Sequence, residues 1–292
     1  MRKFRYIVSS SDAGLQLQTY LRKRQGYSKR LIISLKHGGI VVNGAHRRMV
    51  DPVEGGDVID IELTGDKIKL IPNPALKVPI VYQDDDVIVF DKPANMPVHP
   101  SATYYDDTLG NYFAALFLEE QIAFRPINRL DRDTTGLCLS AKNTLAAAKV
   151  AESLEKEYIA IVQGKLSQSA GSIDQPLIRV PGSIISRKVH PDGQRAVTHY
   201  RVIKQFDDFS LVSIRLETGR THQIRVHFAY IGHPLEGDTL YGGRTKYINR
   251  HALHCGKLSF LRPEGGVPVT LFSPLPEDMA RLVGRDTWQA TT

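Results

Sequence analysis

Strands and helices follow one another irregularly along most of this 292-residue chain, and their order limits the folds it can form. Several segments have the alternation or β-branched content of strands, and others have the apolar spacing of helices. The predicted strands span residues 137–141, 158–163, 198–205 and 211–217, and the predicted helices span 108–119, 144–154 and 223–231. Because regular crossover helices do not separate the strands, the order argues against a Rossmann-type sheet. It favours an α+β domain with a mixed, largely antiparallel sheet.

Positive charge is concentrated near the N-terminus. The chain has a formal net charge of +7, and residues 1–60 hold 11 Lys and Arg residues against five Asp and Glu residues. The rest of the chain is therefore close to neutral. A basic segment on a near-neutral body is typical of a module that binds a polyanion.

This basic segment has the pattern of a small separate domain. Two short amphipathic helices are expected at residues 14–25 and 29–37, with Ser28 as the N-cap of the second. A strand running into an Asn-Gly turn follows, and residues 57–63 alternate as a half-buried strand. Residues 64–79 contain three prolines and little periodicity, so they are expected to form a linker. The predicted organisation is a domain at 1–63 with its core at 14–61, the linker, a larger domain at 80–285 and a tail at 286–292.

The cysteines and histidines give no sign of a disulfide or a metal site. Cys138 and Cys255 stand far apart in apolar surroundings, which predicts buried free thiols. His222 and His227 do not share a helix face, and His251, His254 and Cys255 lack the paired spacing of zinc ligands. This spacing predicts a protein without a bound metal. Neither a signal peptide nor a membrane span is apparent, so we expect a cytoplasmic protein.

Residues 125–140 place charged side chains in a loop directly before an apolar strand. Asp131 and Asp133 stand beside Arg129 and Arg132 in this loop. A neighbouring guanidinium keeps a carboxylate ionised and oriented, and such a carboxylate suits nucleophilic attack or proton abstraction at a sugar carbon. The spacing alone leaves open an ordinary surface loop with ion pairs.

Five blocks, in order, resemble motifs of the RluA family of pseudouridine synthases. Residues 128–137 are similar to the family's His-Arg-Leu-Asp-x-x-Thr-Ser-Gly-Leu motif, with Asn128 in place of His and Thr135 in place of Ser. The other blocks are VIVFDKPANMPVHP at 87–100, KEYIAIVQG at 156–164, LETGRTHQIRVHFAYIGHPLEGDTLYG at 216–242 and HALHCGKLSFL at 251–261. The resemblance covers residues 80–280, which is most of the chain.

The resemblance implies the pseudouridine synthase fold and a reaction without a cofactor. The reaction breaks the N1–C1′ bond of a uridine in RNA, turns the base over and rejoins it through C5. Asp131 is implied as the catalytic carboxylate, which either attacks C1′ or takes the 2′ proton, and both mechanisms remain open. The absence of a P-loop or dinucleotide motif agrees with the expectation of no cofactor.

Four further residues receive roles from the resemblance. Tyr158 is implied to stack on the target base, and Arg220 to pair with Asp131. Arg129 would contact the RNA backbone or occupy the position vacated by the base. Leu258 would pack under the base, although a plain core leucine is an equal alternative. Lys92 and His99 would at most line the substrate cleft.

The N-terminal segment resembles an S4 RNA-binding domain, a small α/β module. Its turn Gly-Gly-Ile-Val-Val-Asn-Gly at 38–44 is similar to the S4 turn. The cations expected to contact RNA phosphates are Arg22, Lys23, Lys29, Arg30 and Lys36. A solvated charged helix face is the alternative.

The expected function is a pseudouridine synthase acting on structured RNA. Large-subunit ribosomal RNA is favoured, because family members that carry an S4 domain mostly act there, and transfer RNA is the alternative substrate. A non-catalytic RNA-binding or ribosome-assembly factor and a nucleoside hydrolase are the alternatives from other classes. A monomer is the simplest expectation.

Overall fold

A computed structural model describes residues 2–35, 38–63, 70–101 and 103–288. Lys36 and residues 64–69 of the predicted linker lie outside the described residues. Residues 289–292 of the predicted tail also lie outside them.

The described chain contains fifteen strands and six α-helices. The strands are β1 Arg2–Ile7, β2 Ile40–Val42, β3 Val58–Leu63, β4 Ile80–Gln83, β5 Val87–Lys92, β6 Arg125–Pro126, β7 Thr135–Ala141, β8 Glu155–Gln163, β9 Ala170–Asp174, β10 Leu177–Arg179, β11 Arg187–Val189, β12 Val197–Gln205, β13 Phe209–Leu216, β14 Leu253–Leu261 and β15 Pro268–Phe272. The helices are α1 Leu17–Lys23, α2 Lys29–Leu35, α3 Leu109–Leu116, α4 Thr144–Ser153, α5 Gln223–Tyr230 and α6 Glu277–Val283. Short 3₁₀ turns lie at Ser10–Asp12, Thr239–Tyr241 and Arg285–Thr287.

The N-terminal domain packs α1 and α2 against a three-stranded antiparallel sheet of order β1-β3-β2. The apolar face of α2 is buried, as its spacing predicted, and the Leu31 N–H donates to Ser28 Oγ at 3.2 Å. This contact confirms Ser28 as the residue that caps the helix. Sequence reasoning missed β1, although its alternation of charged residues with Phe4 and Tyr6 is a strand pattern.

The N-terminal domain is docked on the larger domain through an ion cluster and an apolar contact. Arg2 of β1 donates from Nε to Asp86 Oδ1 at 3.1 Å and also pairs with Glu264 at 2.6 Å. Asp86 is buried and accepts a second hydrogen bond from Asn143, the N-cap of α4. Leu145 of α4 is buried in the same apolar cluster as the core of the N-terminal domain. The contacts of β1 therefore fix the position of the basic helices relative to the larger domain.

The larger domain is built on a ten-stranded sheet of order β4-β5-β7-β14-β8-β13-β12-β9, with β15 paired to β14 and β6 paired to β7. Its strand pairs are antiparallel in the described chain except for β7 and β14, which run parallel where Thr135 and Gly136 face His254 and Cys255. A separate two-stranded hairpin is formed by β10 and β11. The main apolar core lies between the sheet and its helices and includes both cysteines, which are buried free thiols as predicted.

The predicted α+β class and most predicted elements agree with the structure. The strands expected at 137–141, 158–163, 198–205 and 211–217 correspond to β7, β8, β12 and β13. The helices expected at 108–119, 144–154 and 223–231 correspond to α3, α4 and α5, each ending within three residues of the predicted end. No helix in the described ranges is long and apolar enough to span a bilayer.

The segments on either side of the larger domain pack against it. In the described part of the predicted linker, Val78 is buried in the main core and Ile71 O accepts a hydrogen bond from the Asn111 side chain of α3. At the C-terminal end, Trp288 contacts the apolar cluster beneath α6. Prolines and low periodicity thus marked a segment without regular structure, but not one detached from the core.

We predict that Arg2→Ala destabilises the protein by about 1–3 kcal/mol, because it leaves the buried carboxylate of Asp86 without its cation. Arg5→Ala on the same strand is the matched control. Arg5 pairs with Asp60 on the surface, so its loss should destabilise the protein clearly less than the loss of Arg2 does. Urea unfolding of the three proteins measures both effects, and equal losses for the two variants would contradict the docking role of Arg2.

Candidate active site

A buried lysine fixes the loop that carries Asp131. Lys92, at the end of β5, is 1% exposed. Its ammonium donates to the carbonyl oxygens of Pro93, Met96 and Arg132 at 2.7, 2.8 and 2.9 Å. Burial lowers the pKa of Lys92 to about 8. Lys92, expected at most to line the cleft, therefore joins two loops through their backbones.

Asn128 fixes the start of the same loop. This residue is buried, its Nδ2 donates to Leu137 O at 2.9 Å, and its Oδ1 accepts the Leu139 N–H at 2.8 Å. Both partners belong to β7. Asn128, which replaces the family's histidine, thus pairs with strand backbone and keeps the loop against the sheet.

The strand after the loop needs a glycine. Gly136 has φ +102°, and a Cβ on it would lie 2.3 Å from Cys255 O. The two preceding threonines hold β14 and the segment before it. Thr134 Oγ1 lies 2.8 Å from His251 Nε2, and Thr135 Oγ1 lies 2.9 Å from His254 Nδ1. The Thr-Thr-Gly sequence therefore makes the parallel pairing of β7 and β14 possible.

Asp131 is paired with Arg225, a buried residue of α5. Arg225 Nη1 donates to Asp131 Oδ2 at 2.9 Å, while its Nε and Nη2 donate to Asp238 at 2.7 and 2.8 Å. His222 Nε2 lies 3.7 Å from the same Oδ2 of Asp131. One guanidinium thus connects the loop, α5 and the segment before the 3₁₀ turn at Thr239–Tyr241.

Asp131 is held ionised by this arrangement. Burial on its own would raise the pKa of the Asp131 carboxyl, but His222, Arg225 and His251, with the hydrogen bond from Arg225, outweigh burial and lower it. Burial lowers the pKa of His222 and also that of His251, to about 3, so Arg225 carries the positive charge at neutral pH. The site therefore presents a carboxylate beside one permanent cation.

Asp131 lies at the wall of a cleft of about 410 Å³. The lining residues are Val98, His99, Pro126, Ile127, Asn128, Arg129, Leu130, Asp131, Lys156, Tyr158, Leu216, Gly219, Arg220, Thr221 and His222. Tyr158 and Lys156 project from the same face of β8, two residues apart. Tyr158 is buried, and burial raises the pKa of its hydroxyl well above the ordinary value, so the phenol is neutral. The cleft thus joins a carboxylate, an aromatic side chain and exposed cations.

The structure corrects the partner that was predicted for Asp131. Arg220 lines the cleft, but its Nε donates to Arg195 O at 3.1 Å, and Arg225 makes the pair with Asp131. The reason is helical geometry, because Arg225 lies in the first turn of α5, which abuts the loop, while Arg220 precedes the helix. His222 occupies the N-cap position of α5.

The other predicted site residues are divided between cleft and core. Arg129, Tyr158 and His99 line the cleft. Leu258 is fully buried in the main core, and the cleft lining formed by the described residues does not include it. Its strand bulges between Cys255 and Lys257 opposite β8, so the register of β14 places Leu258 in the core. The expected contact between Leu258 and the base is therefore not supported by its position.

Sequence reasoning missed Arg225, Asp238, His222 and Tyr241. One signal was available, because the block at 216–242 contains Arg225 as well as Arg220. The same block ends in Gly-Asp-Thr-Leu-Tyr-Gly, which contains Asp238 and Tyr241, but the resemblance implied no role for either residue. Among the described residues, no group of three or more His, Cys, Asp or Glu side chains could hold a metal ion.

We predict that Arg225→Met destabilises the protein by about 3–5 kcal/mol at neutral pH, because two carboxylates lose their shared cation. Arg220→Met is the matched control and should cost less than about 0.5 kcal/mol. Since the pKa of Asp131 is lowered in the folded state, its contribution is present above pH ~4 and is lost as the pH falls through the folded pKa. Urea unfolding measures the free energy of unfolding of Arg225→Met and of wild type. The difference between the two should become smaller below pH ~4, and a difference independent of pH would contradict the pairing.

The comparisons with known proteins agree on one family. The family described as RNA pseudouridylate synthase matches residues 86–230. An RNA pseudouridine synthase of Bacillus subtilis, named as uncharacterized, is 38% identical over 269 residues, which are 88% of this chain and 95% of that protein. The ribosomal large subunit pseudouridine synthase D of Haemophilus ducreyi is 39% identical over 273 residues, 85% of this chain and 82% of that protein.

The fold agrees as well. The structure of human RNA pseudouridylate synthase domain containing 1 matches with a TM-score of 0.58 and 25% identity, covering 70% of this chain and 86% of that one. The match of sequence, fold and site geometry leads to one conclusion: the chain belongs to the RluA family and is an RNA pseudouridine synthase.

Proposed function

We propose that this enzyme isomerises uridines of large-subunit ribosomal RNA, with Asp131 as the reacting carboxylate. The observation that carries the proposal is the ionised Asp131, held by Arg225 at the wall of a cleft that also contains Tyr158. A fixed carboxylate beside an aromatic face suits a sugar carbon whose base has left the RNA stack.

Asp131 starts the reaction by one of two routes. In one, its oxygen bonds to C1′ while the N1–C1′ electron pair leaves with uracil. In the other, it takes the 2′ proton while the same bond breaks. In the first route, C5 of the turned base bonds to C1′ and displaces the Asp131 carboxylate from it. In the second, C5 bonds to C1′ of the glycal and C2′ regains the proton held by Asp131. In both, the C5 hydrogen then leaves as a proton. Because the carboxylate is deprotonated at neutral pH, it can begin either route without a separate base.

Tyr158 supports the base in the cleft. The neutral phenol gives a π-face in place of the neighbours that a flipped uracil loses. A free base must also stay close to the sugar while it turns, and a partly closed cleft of about 410 Å³ restricts its escape. The same confinement favours rejoining over hydrolysis.

Arg129 and Arg220 bind the RNA chain beside the target nucleotide. Both are exposed and line the cleft, whereas Arg225 is buried behind Asp131. Exposed guanidiniums at a cleft suit phosphate groups, and Arg129 could instead fill the position that the base leaves. This gives Arg220 a role in binding RNA, distinct from the pairing with Asp131.

The N-terminal domain acts as an S4-like RNA-binding domain. Arg22 and Lys23 of α1 and Lys29 and Arg30 of α2 are exposed, so their charges are free to meet phosphates. The ion cluster around Arg2 fixes these helices against the larger domain. A fixed distance between the basic helices and the cleft favours a structured RNA that reaches both.

The choice of large-subunit ribosomal RNA rests on the named relatives. Several proteins 35–39% identical to this chain are called ribosomal large subunit pseudouridine synthase D. Transfer RNA remains the second candidate, since the cleft itself does not distinguish the two. Family membership and the intact site weigh against a non-catalytic factor, and the basic domain weighs against a hydrolase of free nucleosides. A cytoplasmic location and a monomeric state stay predictions.

We predict that the enzyme releases tritium from C5-labelled uridine in unmodified large-subunit ribosomal RNA transcripts. Asp131→Asn should lower the rate by at least ~10³-fold, because the amide can neither attack C1′ nor take a proton. Release that occurs only with transfer RNA transcripts would move the substrate to the second candidate. Release from free uridine would favour the hydrolase.

The basic helices allow a second test, by salt. One variant replaces Arg22, Lys23, Lys29 and Arg30 by Gln. The slope of log K against log salt concentration, where K is the binding constant for the transcript, should become less steep in this variant. The expected change is about 0.7–0.9 for each phosphate that these helices no longer neutralise. The control variant replaces Lys165, Lys204, Arg281 and Arg285, four exposed cations of the larger domain, and should leave the slope unchanged. Equal slopes for both variants would exclude RNA binding by the N-terminal helices.

A further inference from the structure

His222 has a backbone conformation that its sequence does not favour. Its φ and ψ are 59° and 17°, in the left-handed region, although it is neither glycine nor asparagine. Such a conformation is uncommon for a residue with a side chain, and it has a cost in free energy that the surroundings must offset. The side chain is 14% exposed and lines the cleft next to Asp131. Its position is therefore fixed by specific contacts.

Tyr241 supplies these contacts. Its hydroxyl lies 2.8 Å from His222 Nδ1, and the two rings meet edge to face at 5.7 Å. The same hydroxyl accepts the Arg187 N–H of β11 at 3.0 Å. Since the hydroxyl already accepts one hydrogen bond, its own proton is available for Nδ1. A neutral His222 then carries its proton on Nε2.

Nε2 faces the carboxylate of Asp131. It lies 3.7 Å from Oδ2, the oxygen that already accepts a hydrogen bond from Arg225. The opposite tautomer would turn a lone pair toward this negative oxygen, which is unfavourable. The hydrogen bond that Asp131 accepts from Arg225 reaches Oδ2, and the 3.7 Å separation from His222 is to the same oxygen. No described side chain donates a hydrogen bond to Oδ1.

We propose that His222 is a positioning residue that acts through Asp131. Its Nε2–H and Arg225 hold Oδ2, so that Oδ1 is the oxygen that bonds to C1′ or takes the 2′ proton. The inference rests on the proposed role of Asp131 in catalysis. The 3.7 Å between Nε2 and Oδ2 is longer than a hydrogen bond, so the proposal requires this distance to shorten when substrate binds.

The charges around His222 agree with a neutral ring. Burial lowers the pKa of His222, and Arg225 and Arg187 act in the same direction, while Asp131 and Asp238 oppose them. His251, whose Nε2 lies 2.8 Å from Thr134 Oγ1, is also neutral, because burial lowers its pKa to about 3. At neutral pH, where its ring is uncharged, His222 therefore acts as a hydrogen-bond donor. Its charge lowers the pKa of Asp131 only at a pH where the ring is protonated.

The activity test compares His222→Phe, His222→Asn and Tyr241→Phe. His222→Phe removes the donor and should lower kcat about 10–100-fold with little change in KM. It should also move the acid limb of the kcat profile to higher pH, because Asp131 loses a donor to its ionised form. His222→Asn keeps an N–H and tolerates a left-handed backbone, so it should retain more activity than Phe. Tyr241→Phe removes the hydroxyl that fixes the tautomer of His222. It should change kcat and the acid limb in the same direction as His222→Phe does, but by a smaller amount.

His199→Gln is the matched control. His199 lies on β12 between Ser172 and Glu217, outside the lining of the cleft, and its replacement should leave kcat and the pH profile unchanged. Thermal unfolding of every variant separates a folding defect from a positioning defect. An unchanged acid limb in His222→Phe, or an effect confined to KM, would overturn the inference.

An NMR measurement decides the inference even if the chosen RNA is not turned over. In the free wild-type enzyme, ¹⁵N–¹H correlation should show His222 protonated at Nε2 and not at Nδ1. Tyr241→Phe should reduce this preference, and ¹³C spectra should show a higher pKa for Asp131 in His222→Phe. A protonated Nδ1 in wild type would refute the proposal, whereas failure with ribosomal RNA alone would refute only the proposed substrate.

Discussion

The buried guanidinium of Arg225 is the interaction on which the active site depends. It joins Asp131 of the loop after β6 to Asp238 at the 3₁₀ turn, while its own backbone belongs to α5. One side chain thus holds two neighbouring segments, α5 and the residues before the 3₁₀ turn, to a loop 94 residues earlier in the chain. Since Asp238 is almost fully buried, Arg225 cannot leave without exposing an uncompensated charge to the interior. The same pairing keeps Asp131 ionised, so stability and reactivity share one cause.

The sheet sets the position of the loop that Arg225 holds. The parallel pairing of β7 and β14 brings Cys255 against Gly136, which requires a residue without a side chain. Lys92 and Asn128 then fix the loop through backbone carbonyls and amides. Precise placement of a carboxylate lowers the entropic cost of any reaction in which it takes part, and the placement of Asp131 comes from backbone contacts of buried polar side chains. Tyr241 extends the same network toward the β10–β11 hairpin.

The docked N-terminal domain adds a second level of positioning. Arg2 of the N-terminal domain pairs with acidic side chains of the larger domain. Leu145 of the larger domain packs into the apolar core of the N-terminal domain. An RNA bound by both domains would meet a surface with a fixed geometry. This arrangement favours recognition of a folded RNA over a single strand, because the distance between phosphate contacts is set before binding.

Local patterns in the sequence determined the fold class, helices α1 to α5, strands β2, β3, β7, β8, β12 and β13, the cap at Ser28 and the identity of the loop with Asp131. These features depend on neighbouring residues, so periodicity and motif order were sufficient. The tertiary structure alone decided which arginine meets Asp131, because Arg220 and Arg225 stand five residues apart in one motif and differ in burial. It also placed Leu258 in the core and brought Tyr241 to His222. Contacts of this kind depend on how α5, β14 and the loop pack together, and no local pattern records that packing.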